Sequence, residues 1–193
     1  MMRALLLSAL LTLSACGGRN LDLPGLKAEK IGNVPGPGAC GVRDAYRVTS
    51  AAGVQLSQSA TLSQRAAERF DLWMREHAVP IIGNKGGGLV SVQVAAHYVC
   101  RTRNHRPGAR LSEHSFGNAI DISAFILKDG TRLTVLNDWN SSNRRIMRRL
   151  HASACGPFGT VLGPNSDRFD RDHFHCDVAQ HRGAPTAAEG IHV

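Results

Sequence analysis

Val90, Val92, Val94, Ala96, Tyr98 and Cys100 alternate with Ser91, Gln93, Ala95, His97, Val99 and Arg101, and this period of two is the tightest constraint the chain places on its fold. It predicts a half-buried strand over 90–101, with Arg101 on the face opposite Cys100. A second strand is expected from Asn118 to about Leu127, joined through Asp129-Gly130, a hairpin signal, to a third run over Thr131–Leu136. A last strand is expected from about His173 to Ala179. Thr61 with Gln64 resembles a capping box that opens an amphipathic helix to about His77, stopped by Pro80. A second helix is expected from about Ser142 to His151, packed through Ile146, Met147 and Leu150, with Arg144, Arg145, Arg148 and Arg149 on its solvated face. Helices and strands mixed without a regular βαβ alternation argue for a single α+β domain built on a mainly antiparallel β-sheet with flanking helices.

The N-terminus points to an exported chain. Arg3 precedes an apolar run from Ala4 to Leu13 that is too short to span a bilayer, and the run ends in Leu13-Ser14-Ala15-Cys16. A small-residue cleavage site followed at once by cysteine is the pattern of a bacterial lipoprotein signal, with residues 1–15 removed and Cys16 lipidated. Residues 16–39, rich in glycine and proline, read as a flexible tether, and the domain proper as 40–193. The destination expected is the periplasm, with the lipid in the outer membrane. The formal charge of +8 suits an anionic envelope surface, and nucleic acid is excluded as a partner by that compartment. Nothing in the sequence demands an oligomer, so a monomer is expected. The glycine-rich turn from Asn84 to Gly88 lacks the lysine and hydroxyl of a phosphate-binding loop.

With Cys16 committed to lipid, Cys40, Cys100, Cys155 and Cys176 remain, an even set in an oxidising compartment. They imply two disulfides with three possible pairings. No closely spaced Cys-x-x-Cys pair supports a thiolate metal site instead.

Two segments carry the chemistry. In Ser112–Asp121, reading SEHSFGNAID, His114 and Asp121 stand seven positions apart around Gly117, which is expected to allow a close backbone approach beside the site. The second segment is Asp172-His173-Phe174-His175. Strand parity places Ala119, Asp121 and Ser123 on one face, away from Ile120 and Ile122, and places His173, His175 and Asp177 opposite Phe174, Cys176 and Val178. His114, Asp121 and His175 are the best three ligands for a divalent metal with an open position, the arrangement of a hydrolytic zinc site.

SEHSFGNAID followed by DHFHCD resembles the signature of the LAS superfamily of zinc peptidases, which includes D-alanyl-D-alanine carboxypeptidases and murein endopeptidases. More closely, Cys100-Arg101, RPGARLSEHSFGNAIDISAF, CGPFGTVLGP and DHFHCD together resemble the bacterial extensin-like C-terminal domain family. The resemblance implies a LAS-like core, Zn2+ held by His114, Asp121 and His175, and a general base at Asp172 or His173. Asp172 stands where many members carry glutamate. The resemblance further implies that Arg101 stabilises the oxyanion or holds the substrate carbonyl, and it leaves Ser112 to orient its loop or contact substrate. The disulfide pairing expected is Cys40 with Cys100 and Cys155 with Cys176, both serving as staples around the site.

The function expected is therefore a zinc metallopeptidase, either carboxypeptidase or endopeptidase, acting on peptidoglycan stem peptides or cross-links. The competing expectation is a non-catalytic envelope-binding domain that keeps a structural zinc.

Overall fold

Ala52 and Gly53 both take positive φ (49° and 79°), and that pair makes the tight turn between the strands β2 (Gly41–Ala51) and β3 (Val54–Leu62). The structure, a computed structural model, describes residues 21–179. The strand β1 (Lys27–Pro35) pairs antiparallel with β2, and β4 (Leu89–Ala96) lies parallel to β3. The strands β5 (Ala119–Leu127), β6 (Arg132–Thr134), β7 (Thr160–Leu162) and β8 (Phe174–Asp177) complete the sheet. Its order is β1-β2-β3-β4-β5-β8-β7, with β6 on β5, and every pairing but β3–β4 is antiparallel. The domain is α+β, as the mixed pattern of the sequence implied.

The single parallel pair needs a crossover, and the helix α1 (Gln64–Trp73) supplies it. Its cap is Ser63, whose side chain accepts from the Ala66 amide; Thr61, expected to open a capping box, instead ends β3. The helical path also does not stop at Pro80. A π turn at Met74–Ala78 resets the hydrogen bonding, so Pro80 falls in the first turn of the short helix α2 (Val79–Ile82), where a missing N–H costs nothing. The helices α3 (Val135–Asp138) and α4 (Arg144–Ala154) join the same layer.

The core lies between that layer and one face of the sheet. Trp73 is its hub, edge-on to Phe125 and Phe158, with its indole N–H donating to Ser153 Oγ. From the sheet come Ile120, Ile122, Phe174 and Cys176, and from the helices Phe70, Met147 and Leu150. Asp71, fully buried, accepts from the Ala52 amide and pairs with Arg75, which fixes the β2–β3 turn to α1.

Several expected boundaries move. Within the expected tether over 16–39, Lys27–Pro35 is a strand, and the ordered sheet begins there rather than near Cys40. Its glycines and prolines hid it because the ladder is broken by bulges around Gly32, where φ is +75°, and because only Ala28 is buried. The strand expected over 90–101 ends at Ala96, its last partner being Asp121. Beyond it the His97 carbonyl turns to the His114 ring and the chain is drawn toward Cys40 by the Cys40–Cys100 disulfide. Cys155 and Cys176 are free thiols, one exposed at the end of α4 and the other on β8 and buried in the core, so the second expected disulfide is absent. The signal segment 1–15 and Cys16 lie outside the described residues.

Candidate metal centre

Asp121 and His175 are direct partners across the β5–β8 ladder, on the sheet face opposite the helices. His114 reaches them from a single 3-10 turn, Glu113–Phe116, that closes at Gly117 in the left-handed region (φ 66°). A Cβ at Gly117 would come within 2.8 Å of the Val42 methyls, so the glycine is required by β2 rather than by the metal-side approach expected for it. The turn is further tied down by Ser63 N–H donating to the Gly117 carbonyl and by Asn118, which links Ser63 Oγ to Glu113.

Three atoms converge. His114 Nε2 lies 3.1 Å from Asp121 Oδ1 and 3.1 Å from His175 Nδ1, and His175 Nδ1 lies 2.9 Å from Asp121 Oδ1. The other ring nitrogens decide what these atoms present. His114 Nδ1 is 2.7 Å from the His97 carbonyl, which can only accept, so Nδ1 carries hydrogen and Nε2 turns a lone pair inward when the ring is neutral. His175 Nε2 is 3.0 Å from Asp177 Oδ2, and the same logic turns the Nδ1 lone pair toward the same point. Two lone pairs and a carboxylate packed this closely repel unless a cation stands among them. Zinc ligand atoms about 2.0–2.2 Å from the ion would stand roughly 3.3–3.5 Å apart, so the donor set fits with a small outward relaxation.

A proton can also serve as that cation. Burial would push the His175 pKa down, but the hydrogen bonds that its ring donates to Asp121 and Asp177, and the charges of those carboxylates, overcome it and raise it to about 9. Burial would raise Asp121, yet the hydrogen bonds and charges of His114 and His175 hold it well below the usual carboxylate range. The His97 pKa is lowered, first by burial and then by His114.

The remaining expected residues surround this cluster unevenly. His173 Nε2 is 3.6 Å from Asp121 Oδ2, and Asp172 Oδ1 holds its other nitrogen at 2.8 Å while remaining 67% exposed. Arg101 Nη2 stands 4.0 Å from Asp121 Oδ2. Arg101 is on no strand. It opens a narrow hairpin, its carbonyl accepting from Ser112 N–H and Thr102 bridging to Leu111, and buried Ser115 Oγ both accepts from its amide and donates to its carbonyl. Ser112, nearly buried, lines the open side of the site.

That open side is a cavity of about 400 Å³ lined among others by Arg101, Arg103, Ser112, Asp170, His173 and His175. Asp172 is not on its wall. Asp170 is, and it had no part in the sequence reading: its side chain is 10% exposed and its Oδ1 lies 3.5 Å from His173 Nε2. Burial, then the charge of Asp167, raises its pKa to about 6 against the opposing pull of His173. It sits in a loop without periodicity, so only its i,i+3 spacing to His173 could have marked it. Asp177 was placed on the histidine face by parity, but its role behind His175 needed the structure.

A family model described as the extensin-like protein C-terminus matches residues 15–187, and the chain belongs to that family. No curated protein and no solved structure matches the chain.

Proposed function

We propose that the chain is a zinc-dependent peptidase of the bacterial cell envelope, related to the LAS zinc peptidases and acting on peptidoglycan stem peptides or cross-links. The observation that carries this reading is the convergence of His114 Nε2, Asp121 and His175 Nδ1 on one point at the wall of an open cavity. Among the described residues the cluster has three donors rather than four, which also speaks for a hydrolytic over a structural zinc, since structural sites are closed by a fourth protein ligand. Bound there, zinc would supply Lewis-acid activation of water and of a peptide carbonyl.

The protein's own groups divide the remaining work. Asp172 fixes the His173 ring through Nδ1, which leaves Nε2 facing the cavity as the group that moves protons. Asp172 is thus a positioning residue, and Asp170, on the other side of Nε2, is a second carboxylate within the cavity. Arg101 holds a fixed positive charge against Asp121 and toward the cavity, where it can balance negative charge developing on the substrate carbonyl. Ser112 offers a hydroxyl on the same wall. Lipidation at Cys16 would keep this domain in the periplasm at the outer membrane, as a monomer.

The test is incubation of the zinc-loaded protein with purified peptidoglycan and mass analysis of the released muropeptides. New products that disappear in His114→Ala are expected. Intact muropeptides at full zinc occupancy would overturn the peptidase reading in favour of a binding domain.

A further inference from the structure

Six arginines are exposed on α1 and α4, four of them within residues 144–149. Arg65 and Arg69 are exposed on α1, and Arg144, Arg145, Arg148 and Arg149 are exposed on α4, while Phe70, Trp73, Met147 and Leu150 on the same helices are buried in the core. Among the described residues the arginines in ion pairs are Arg47, Arg75, Arg101 and Arg103, so none of the six has a carboxylate partner. The helix α4 contains no acidic residue, and Glu68 on α1 is engaged by Gln64. Arg148 is held over the Trp139 ring, 5.6 Å from its centroid, which stiffens one of the charges. Arg144 with Arg148 and Arg145 with Arg149 stand four residues apart on α4, where like charges repel one another, and an anionic surface would relieve that repulsion.

The position of the entering chain says which surface. Leu21 and Leu23 pack against the core and share a shallow hollow with Asp22, Glu68, Arg69, Leu72 and Arg75, while Leu21 also borders Glu29, Arg47 and Thr49, so the chain enters the domain at the edge between α1 and the β1–β2 strands. Cys16 lies five residues before Leu21, a span of at most roughly 18 Å when fully extended. On the reading that Cys16 carries lipid, that edge of the domain is held within about 18 Å of the bilayer, close enough for the exposed face of the helical layer to reach it. The cavity opens on the opposite face of the sheet, where Asp121 and His175 point.

We propose that the arginine surface of α1 and α4 docks on anionic phospholipid headgroups, and that this contact turns the cavity away from the membrane. Guanidinium groups suit phosphate because their planar forks bind two oxygens at once, and each basic residue at such a surface adds attraction that salt screens.

The test uses the processed chain from residue 16 carrying Cys16→Ser, so that no acyl chain contributes, co-sedimented with vesicles of phosphatidylcholine alone or with one third phosphatidylglycerol. Binding to the anionic vesicles only, weakening as salt is raised, is expected. The variant with Arg144, Arg145, Arg148 and Arg149 all changed to Gln should lose affinity by about a hundredfold or more. The matching variant with Lys at all four should keep most of it, and circular dichroism should show both folded. No binding to the anionic vesicles, equal binding to both kinds, or an unchanged affinity in the Gln variant would overturn the proposal. Equally tight binding to a soluble polyanion such as polyglutamate would also overturn it, by assigning the surface to polyanions in general. None of these readouts depends on peptidase activity.

Discussion

His175 and Asp121 face each other across adjacent antiparallel strands with Nδ1 and Oδ1 2.9 Å apart, and Asp177 holds the far nitrogen of the same ring at 3.0 Å. The imidazole is therefore clamped between two carboxylates and keeps a proton that any metal must displace. Its raised pKa adds stability that is fully present below the ordinary histidine value of 6.5 and is lost as pH rises through about 9. Zinc affinity should accordingly rise about tenfold per pH unit between those values and level off above them. Calorimetry at pH 7.5 in buffers of different ionisation enthalpy should report about one proton released per zinc bound; a value near zero would refute the clamp.

Asp177 acts only through His175. Replacing it with Asn should leave the fold intact but let the ring turn or change tautomer, weakening zinc binding by about 10–100-fold. Competition with a graded chelator measures this directly. Unchanged affinity would mean that Asp121 and the ladder alone set the ring.

How much of this the sequence disclosed depends on distance along the chain. Strand parity placed Asp121 and His175 on one face correctly because both lie in regular strands, where side-chain direction follows from position. Parity failed for Arg101, since β4 had already ended at Ala96 and a disulfide and a hydrogen-bonded hairpin, not a ladder, orient that residue. The strand β1 was illegible for a related reason: an edge strand broken by bulges needs few apolar residues, so Lys27–Pro35 read as linker. Asp170 became visible only once the loop before β8 was folded over the cavity.

The Cys40–Cys100 disulfide closes a loop with a sequence separation of 60. Limiting that loop in the unfolded chain is worth about 4 kcal/mol at most, so the double Ser variant should lose about 2–4 kcal/mol in urea unfolding. The bond also anchors the hairpin that carries Arg101 and Ser112, so peptide hydrolysis should fall more than zinc affinity does. A loss of zinc equal to the loss of hydrolysis would contradict that separation.

Cys155 and Cys176 should behave as different thiols. Burial first, then the charges of Asp121, Asp177 and Cys155, pushes the Cys176 thiol well above its ordinary range, whereas Cys155 is exposed. Alkylation of the native protein should add one label, at Cys155, and the second only after denaturation. Recovery of a Cys155–Cys176 disulfide in the native protein would contradict the two free thiols.

Asp170 offers the sharpest discrimination within the cavity. Its folded pKa of about 6 lies above the ordinary aspartate value of 3.8, so the group contributes stability that is fully present below 3.8 and is lost as pH rises through about 6. Asp170→Asn should remove that pH dependence, being the less pH-sensitive variant between pH 4 and 7, while Asp172→Asn should leave it in place because Asp172 is solvent-exposed. The two should also part in hydrolysis. Asp172→Asn loosens the His173 ring and should cost about tenfold or more in kcat, with zinc affinity unchanged, and Asp170→Asn should shift the acid limb of the pH profile. If both variants keep the wild-type stability profile, the Asp170 carboxyl titrates in the ordinary carboxylate range, and its place beside His173 has no consequence for protons.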